Sequence, residues 1–151
     1  MIARQISVFA ENKPGSLARV TRVLNREKIN IRATTISTSD AFGVINLIVD
    51  DPEAAYKALT AEGIMVTMKD VLAVLIDDKP GGLDRLIQLL YNEKLNINNA
   101  YGFVLEAAKS AIFVLDIEQM QKALEIIKKA GFKVLDTEGL SKVEPFHYSR
   151  W

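Results

Sequence analysis

The string Lys-Pro-Gly occurs twice, at Lys13–Gly15 and again 66 positions later at Lys79–Gly81. Around it, residues 9–31 align with residues 75–97 without a gap, and ten of the 23 positions are identical. They are Lys13/Lys79, Pro14/Pro80, Gly15/Gly81, Leu17/Leu83, Arg19/Arg85, Leu24/Leu90, Glu27/Glu93, Lys28/Lys94, Asn30/Asn96 and Ile31/Ile97. Chance agreement at ordinary residue frequencies would give roughly one or two. INLIVD (45–50) matches AIFVLD (111–116) at the same offset, after which AEGIMV (61–66) faces KAGFKV (129–134). On this reading the two-residue slip falls after the third strand. The chain is thus expected to be one unit written twice, over residues 1–70 and 71–140, with a tail at 141–151. Two copies are too few for a solenoid, so each is expected to build its own small core.

Both copies read alike. QISVFA (5–10) alternates and is rich in β-formers, which predicts a strand. NKPG is turn chemistry. Leu17, Val20, Val23 and Leu24 then fall at helical spacing, as do Leu83, Leu86, Ile87 and Leu90 in the second copy. NIRATTIS (30–37) and VINLIVD (44–50) predict two more strands around a turn at residues 40–43. DPEAAYKALTAEG opens as an acidic–proline helix start and stops at Gly63, and IMVTM (64–68) follows as a fourth strand. The second copy repeats the order with VLAVLI, a helix over 82–94, NINNAYGFV, SAIFVLD, a helix over 118–130 and FKVL. The predicted class is α+β: two tandem ferredoxin-like βαββαβ domains, each an antiparallel sheet with its helices on one face.

Composition removes several classes of function. Lys+Arg and Asp+Glu both number 19, so the net charge is zero and nothing favours a nucleic acid or an anionic membrane surface. RNA-recognition modules share this element order, but they need aromatic residues on the central strands and a basic face. QISVFA and VINLIVD lack that aromatic pattern. No apolar run approaches the ~20 residues of a membrane span. The opening MIARQISVFAENKPG has no signal-peptide pattern, and there is no cysteine, so a reducing cytoplasm is the expected location.

The loop has a chemistry of its own. Pro14 fixes φ, and Gly15 allows close backbone approach. A helix opening there leaves N–H donors at Gly15, Ser16 and Leu17, which suit a small carboxylate. Asn12 can offer its amide oxygen to an ammonium group. One loop could then hold both ends of an α-amino acid. The plainer alternative is a tight strand-to-helix turn and nothing more.

ENKPGSLARVTRVLNREKINI and DDKPGGLDRLIQLLYNEKLNI resemble the ACT domain, and the whole chain resembles stand-alone tandem ACT-domain proteins. The most specific part is the N-x-P-G-x-L loop followed by a helix and an N-I strand start. The resemblance implies an amino-acid-binding regulatory module, its ligand held between two ACT domains on the loop and helix start of one and the second strand of the other. It assigns Asn12, Pro14, Gly15, Ser16 and Leu17 to a first site, with Asn30 and Ile31 nearby. It assigns Asp78, Pro80, Gly81, Gly82 and Leu83 to a second, with Asn96 and Ile97. Asp78 replaces Asn12 in the second copy and stands beside Asp77. Paired carboxylates hold an ammonium but repel a carboxylate, so the first loop is the stronger site.

No catalytic residue, metal site or cofactor is expected. There is no H-E-x-x-H, G-x-S-x-G or P-loop string, and the single histidine, His147, lies in the tail. Asp50 and Asp51 read as the cap of a helix rather than as metal ligands. Beside the disfavoured nucleic-acid binder, two accounts of the whole remain. One is a sensor that binds a free amino acid and acts on an enzyme or transporter. The other is a dimerisation subunit without a ligand. The strand-two segments IRATTIS and INNAYGF carry no proline and few charges, so these edges are expected to be paired, with a homodimer as the expected state. Phe146, Tyr148 and Trp151 of the tail are expected to add apolar cover.

Overall fold

The structure, a computed structural model, describes residues 2–142. The tail residues Phe146, His147, Tyr148 and Trp151 lie outside the described residues. The described residues divide into two compact units, residues 4–69 and residues 2–3 with 70–142.

The unit over residues 4–69 begins with strand β1 (Ala3–Glu11) and helix α1 (Ser16–Arg26). The hairpin β2 (Ile31–Ser39) and β3 (Phe42–Val49) comes next, then α2 (Pro52–Ala61) and the opening of β4 (Met65–Asp77). The strand order is β2-β3-β1-β4, and β1 and β2 both run antiparallel to β3. Helical spacing on α1 puts Val20, Val23 and Leu24 inward, and α2 adds Ala55 and Leu59. They meet Ile6 and Val8 of β1 and Ile45, Leu47 and Val49 of β3, which alternate onto one face of the pleat. Both helices therefore cover the same face of the sheet. Ile6, Leu47 and Leu59 are fully buried, and each contributes about 1.5–3 kcal/mol through its burial.

The second unit repeats this plan. The remainder of β4 is followed by α3 (Gly82–Asn92), β5 (Ile97–Glu106), β6 (Ser110–Ile117), α4 (Met120–Lys129), β7 (Val134–Leu135) and α5 (Thr137–Ser141). β4 pairs with β6 and β7, and β5 with β6, which gives the order β7-β4-β6-β5. Leu86 and Leu90 of α3 and Ala123 and Ile127 of α4 cover Leu72, Val74, Leu115 and Ile117. Each unit is thus a βαββαβ antiparallel sheet with helices on one face, as the sequence predicts. In each, the second strand stands at an edge.

Three details differ from the sequence reading. The fourth strand of the first copy and the first strand of the second are one uninterrupted strand, β4, because no turn residue separates Lys69 from Val71. α5 was not expected; Asp136 caps it by accepting the Gly139 N–H at 2.7 Å. The slip between copies also falls earlier than expected. Ile6 pairs with Leu47 and Leu72 with Leu115, so β3 and β6 already stand two residues out of step with the first strands. INLIVD therefore does not overlay AIFVLD at the original offset. The extra residues are taken up by a bulge at Val104/Glu106 and by a turn one residue longer in the β5–β6 hairpin.

The helices end in two ways. α2 and α4 are followed by Gly63 (φ 76°) and Gly131 (φ 95°) in the left-handed region. α1 and α3 instead turn at Lys28 (φ 57°) and Lys94 (φ 56°), where a side chain bears the strain.

Candidate functional site

The two Lys-Pro-Gly loops fold alike. Gly15 (φ 95°) and Gly81 (φ 88°) are the N-cap residues of α1 and α3, in a conformation open to glycine. Neither helix start has a side-chain cap, whereas Asp51 caps α2 by accepting the Ala54 N–H at 3.1 Å. The Ser16 N–H is taken by the Lys13 carbonyl at 3.3 Å, and the Gly82 N–H by that of Lys79 at 3.0 Å. Of the three N–H groups expected to be available in the first loop, Ser16 is therefore spent on the turn. Gly15 and Leu17 keep theirs without an acceptor among the described residues. Pro14 and Pro80 are exposed, and Leu17 and Leu83 are 38% and 40% exposed, so both leucines face outward beside the loop instead of joining the core.

Asn12 and Asp78 fasten each loop to the neighbouring hairpin turn. The Asn12 backbone N–H donates to Ala41 at 2.8 Å, and its Nδ2 donates to the Asp40 carbonyl at 3.2 Å. The amide oxygen of Asn12 accepts no hydrogen bond among the described residues. Asp78 donates its backbone N–H to Lys109 at 3.1 Å and accepts the Ala108 N–H on Oδ2 at 2.7 Å. Part of the Asp78 charge is thus already satisfied by the turn. Lys13 pairs with Glu11 at 3.0 Å, and Lys79 with Asp77 at 3.8 Å.

Asn30 and Ile31 are not brought to the loop of their own unit. The Asn30 N–H donates to Asp50 Oδ1 at 3.1 Å, at the far end of the β2–β3 hairpin from the Asp40 turn that holds Asn12. Helix α1, 11 residues long, separates it from Gly15, a span of about 16 Å at 1.5 Å per residue. Asn96 and Ile97 stand likewise beyond α3. The expected set therefore splits into loop residues and strand-start residues at opposite ends of each unit.

The first loop also walls a cavity of about 350 Å3, bounded by the end of β1, the first turn of α1 and the α2–β4 turn. Ser16, Arg19, Gly63 and Ile64 line it. A cavity of about 220 Å3 stands at the matching place in the second unit, lined by Gly82, Arg85, Gly131 and Phe132. Sequence reasoning passed over Arg19 and Arg85 as site residues. Their identity in both copies was the available signal, but the α2–β4 turn that completes the cavity lies more than 40 positions along the chain.

Residues 1–144 match the family model described as an ACT domain pair. The chain belongs to the ACT domain pair family. Protein BT0572 from Bacteroides thetaiotaomicron is similar at 35% identity over 94% of this ACT pair and 97% of that chain, with a TM-score of 0.88. The regulatory subunit of aspartate kinase from Thermus thermophilus, in its ligand-free form, shares the fold at 19% identity and a TM-score of 0.63, covering 85% of this chain and 92% of that one. The aspartokinase alpha and beta subunits share it at 15% identity and a TM-score of 0.57, over 84% and 90% of the two chains. No protein of curated function matches the sequence. No helix among the described residues is long and apolar enough to cross a membrane.

Proposed function

We propose that this ACT pair is a non-catalytic regulatory protein that binds a free amino acid at its Lys-Pro-Gly loops and passes that signal to an enzyme or transporter in the cytoplasm. The observation that carries the reading is the doubled helix start, with a left-handed glycine, no side-chain cap and unclaimed N–H groups at Gly15 and Leu17. Such a start favours a carboxylate through its donors and its dipole. The Asn12 amide oxygen meets the ammonium, and the half-exposed Leu17 offers apolar contact to the ligand's side chain. Pro14 and Ser16 hold the loop's shape. Pro80, Gly81, Gly82 and Leu83 form a weaker second loop, because Asp78 brings negative charge to it.

Asn30, Ile31, Asn96 and Ile97 are too far from the loops of their own units to complete a site there. A homodimer would supply them from the partner chain. The similarity in fold to a protein named as a regulatory subunit supports the regulatory reading. A thermal-shift screen with the twenty common L-amino acids tests it. A ligand at 100 times its dissociation constant stabilises the folded state by about 2.7 kcal/mol, which for a chain of this size raises Tm by several degrees. A flat response to all twenty would leave the dimerisation-subunit account in its place.

A further inference from the structure

The cavity behind each loop is rebuilt in both units around a retained arginine, yet the two arginines are used differently. In the first unit Arg19 donates one Nη2 hydrogen to the carbonyl of Glu62, at the end of α2. A guanidinium has five donors in a planar fork, so a bidentate face remains after that bond. Glu11 and Lys13 line the same cavity and neutralise each other at 3.0 Å. Arg19 has no carboxylate partner among the described residues. Ile64 and Met65 close the wall with apolar surface.

In the second unit the guanidinium carbon of Arg85 lies 4.2 Å from the centroid of the Phe132 ring. This is a cation–π contact, which holds the fork flat on its own wall. The first unit has Ile64 at that place and offers no ring. Gly82 replaces Ser16 and lets the loop close against the Asp77 carbonyl, and the cavity shrinks to about 220 Å3 from about 350 Å3. The first cavity is thus the roomier of the two, and in it the guanidinium is not stacked on a ring of the wall.

We propose that the cavity of the first unit is a carboxylate subsite read by Arg19, that the cavity of the second is closed by Arg85 on Phe132, and that each chain therefore takes one ligand. The proposal rests on the amino-acid reading above and sharpens it: the ligand's carboxylate, held on the Gly15 and Leu17 N–H groups, is also met by the Arg19 fork from the cavity side. The charge suits a carboxylate, because the lining holds one cation beyond its internal pair.

Calorimetry tests it on the full chain with whichever of the twenty L-amino acids gives the largest thermal shift. The wild type should bind one ligand per chain. Arg19→Ala should weaken binding tenfold or more. Arg19→Lys, which keeps the charge and loses the fork, should fall between Arg19→Ala and the wild type. Arg85→Ala should leave the affinity unchanged. Melting curves recorded without ligand separate a loss of binding from a loss of fold, and Arg19→Gln replaces Arg19→Ala if the latter melts early. Unchanged affinity in Arg19→Ala, an equal loss in Arg85→Ala or two ligands per chain would overturn this subsite while leaving the amino-acid reading in place. Absence of binding to the wild type would overturn both.

Discussion

A Cβ on Gly82 would overlap the carbonyl oxygen of Asp77, at the place where the first unit carries Ser16 and donates its hydroxyl to the Glu11 carbonyl at 2.7 Å. The two loops share a sequence pattern but close at different distances. In the second unit the obstacle is backbone, which cannot swing aside as a side-chain end can. Gly82→Ser should therefore destabilise the protein by about 1–3 kcal/mol, the usual cost of overpacking. Ser16→Gly removes one exposed hydrogen bond and should cost roughly 0.5–1.5 kcal/mol. Urea melts of the two variants against wild type check the order, and a Gly82→Ser variant of unchanged stability would contradict the tighter closure.

Asn12 and Asp78 tie their loops to hairpin turns with opposite polarity, one donating a side-chain N–H and the other accepting a backbone N–H. A neutral exposed bond of this kind contributes about 0.5–1.5 kcal/mol, and one to a charged acceptor about 1.5–3 kcal/mol. Asp78→Ala should therefore lower stability more than Asn12→Ala. Asp78→Asn keeps an acceptor oxygen and should recover part of the loss. Chemical denaturation of the three variants reads this ranking directly.

The left-handed lysines give a prediction of the opposite sign. Lys28 and Lys94 occupy positive φ where α2 and α4 are followed by glycine. The left-handed conformation costs a non-glycine residue roughly 1–2 kcal/mol, while glycine adds about 0.4–1 kcal/mol of unfolded-state entropy. Lys28→Gly and Lys94→Gly should each stabilise by up to about 1 kcal/mol, seen as a Tm rise of about 2–4 °C. The reverse changes, Gly63→Lys and Gly131→Lys, should lower it.

Tyr101 on β5 has its pKa pushed well above the ordinary tyrosine value, first by burial and then by the charge of Asp116. The folded state thus holds the phenolic proton where the unfolded chain releases it. This contribution is complete below the unfolded value of about 10 and is lost as pH rises above it, by at most about 1.4 kcal/mol per pH unit. Tyr101→Phe has no proton to lose and should show a shallower fall in stability between about pH 10 and 11, measured by urea melts at each pH. Equal slopes would show that Tyr101 ionises as readily folded as unfolded.

The internal repeat makes most of the fold legible in the sequence. Helical spacing located Val20, Val23 and Leu24 inside, and strand alternation located Ile6 and Val8, because these depend on local period alone. The bulge at Val104/Glu106 was not legible. A bulge is defined by the residues opposite it, and INLIVD resembles AIFVLD closely enough to hide a two-residue shift. The loop residues were legible because glycine and proline announce backbone geometry. Their separation from Asn30 was not, since it follows from the direction of α1 and the length of the hairpin. Arg19 was visible as a repeated residue but had no stated purpose until the α2–β4 turn closed over it.

The central claim is that the first Lys-Pro-Gly loop reads an amino acid, and it is tested most directly by calorimetric titration of the wild type and Gly15→Val with the amino acid that gives the largest thermal shift, alongside the keto acid of the same side chain. A branched side chain at Gly15 would stand in open space beside the proposed ligand position, with no protein atom within 4 Å of the added Cβ, though at a φ that a valine resists. Circular dichroism confirms the folded state of the variant before titration. The account predicts measurable binding to the wild type, a loss of about tenfold to a hundredfold in Gly15→Val, at about 1.4 kcal/mol per decade, and weak binding of the keto acid, which has no ammonium for Asn12. Equal affinity of the folded variant and the wild type, or equal affinity for the keto acid, would contradict it.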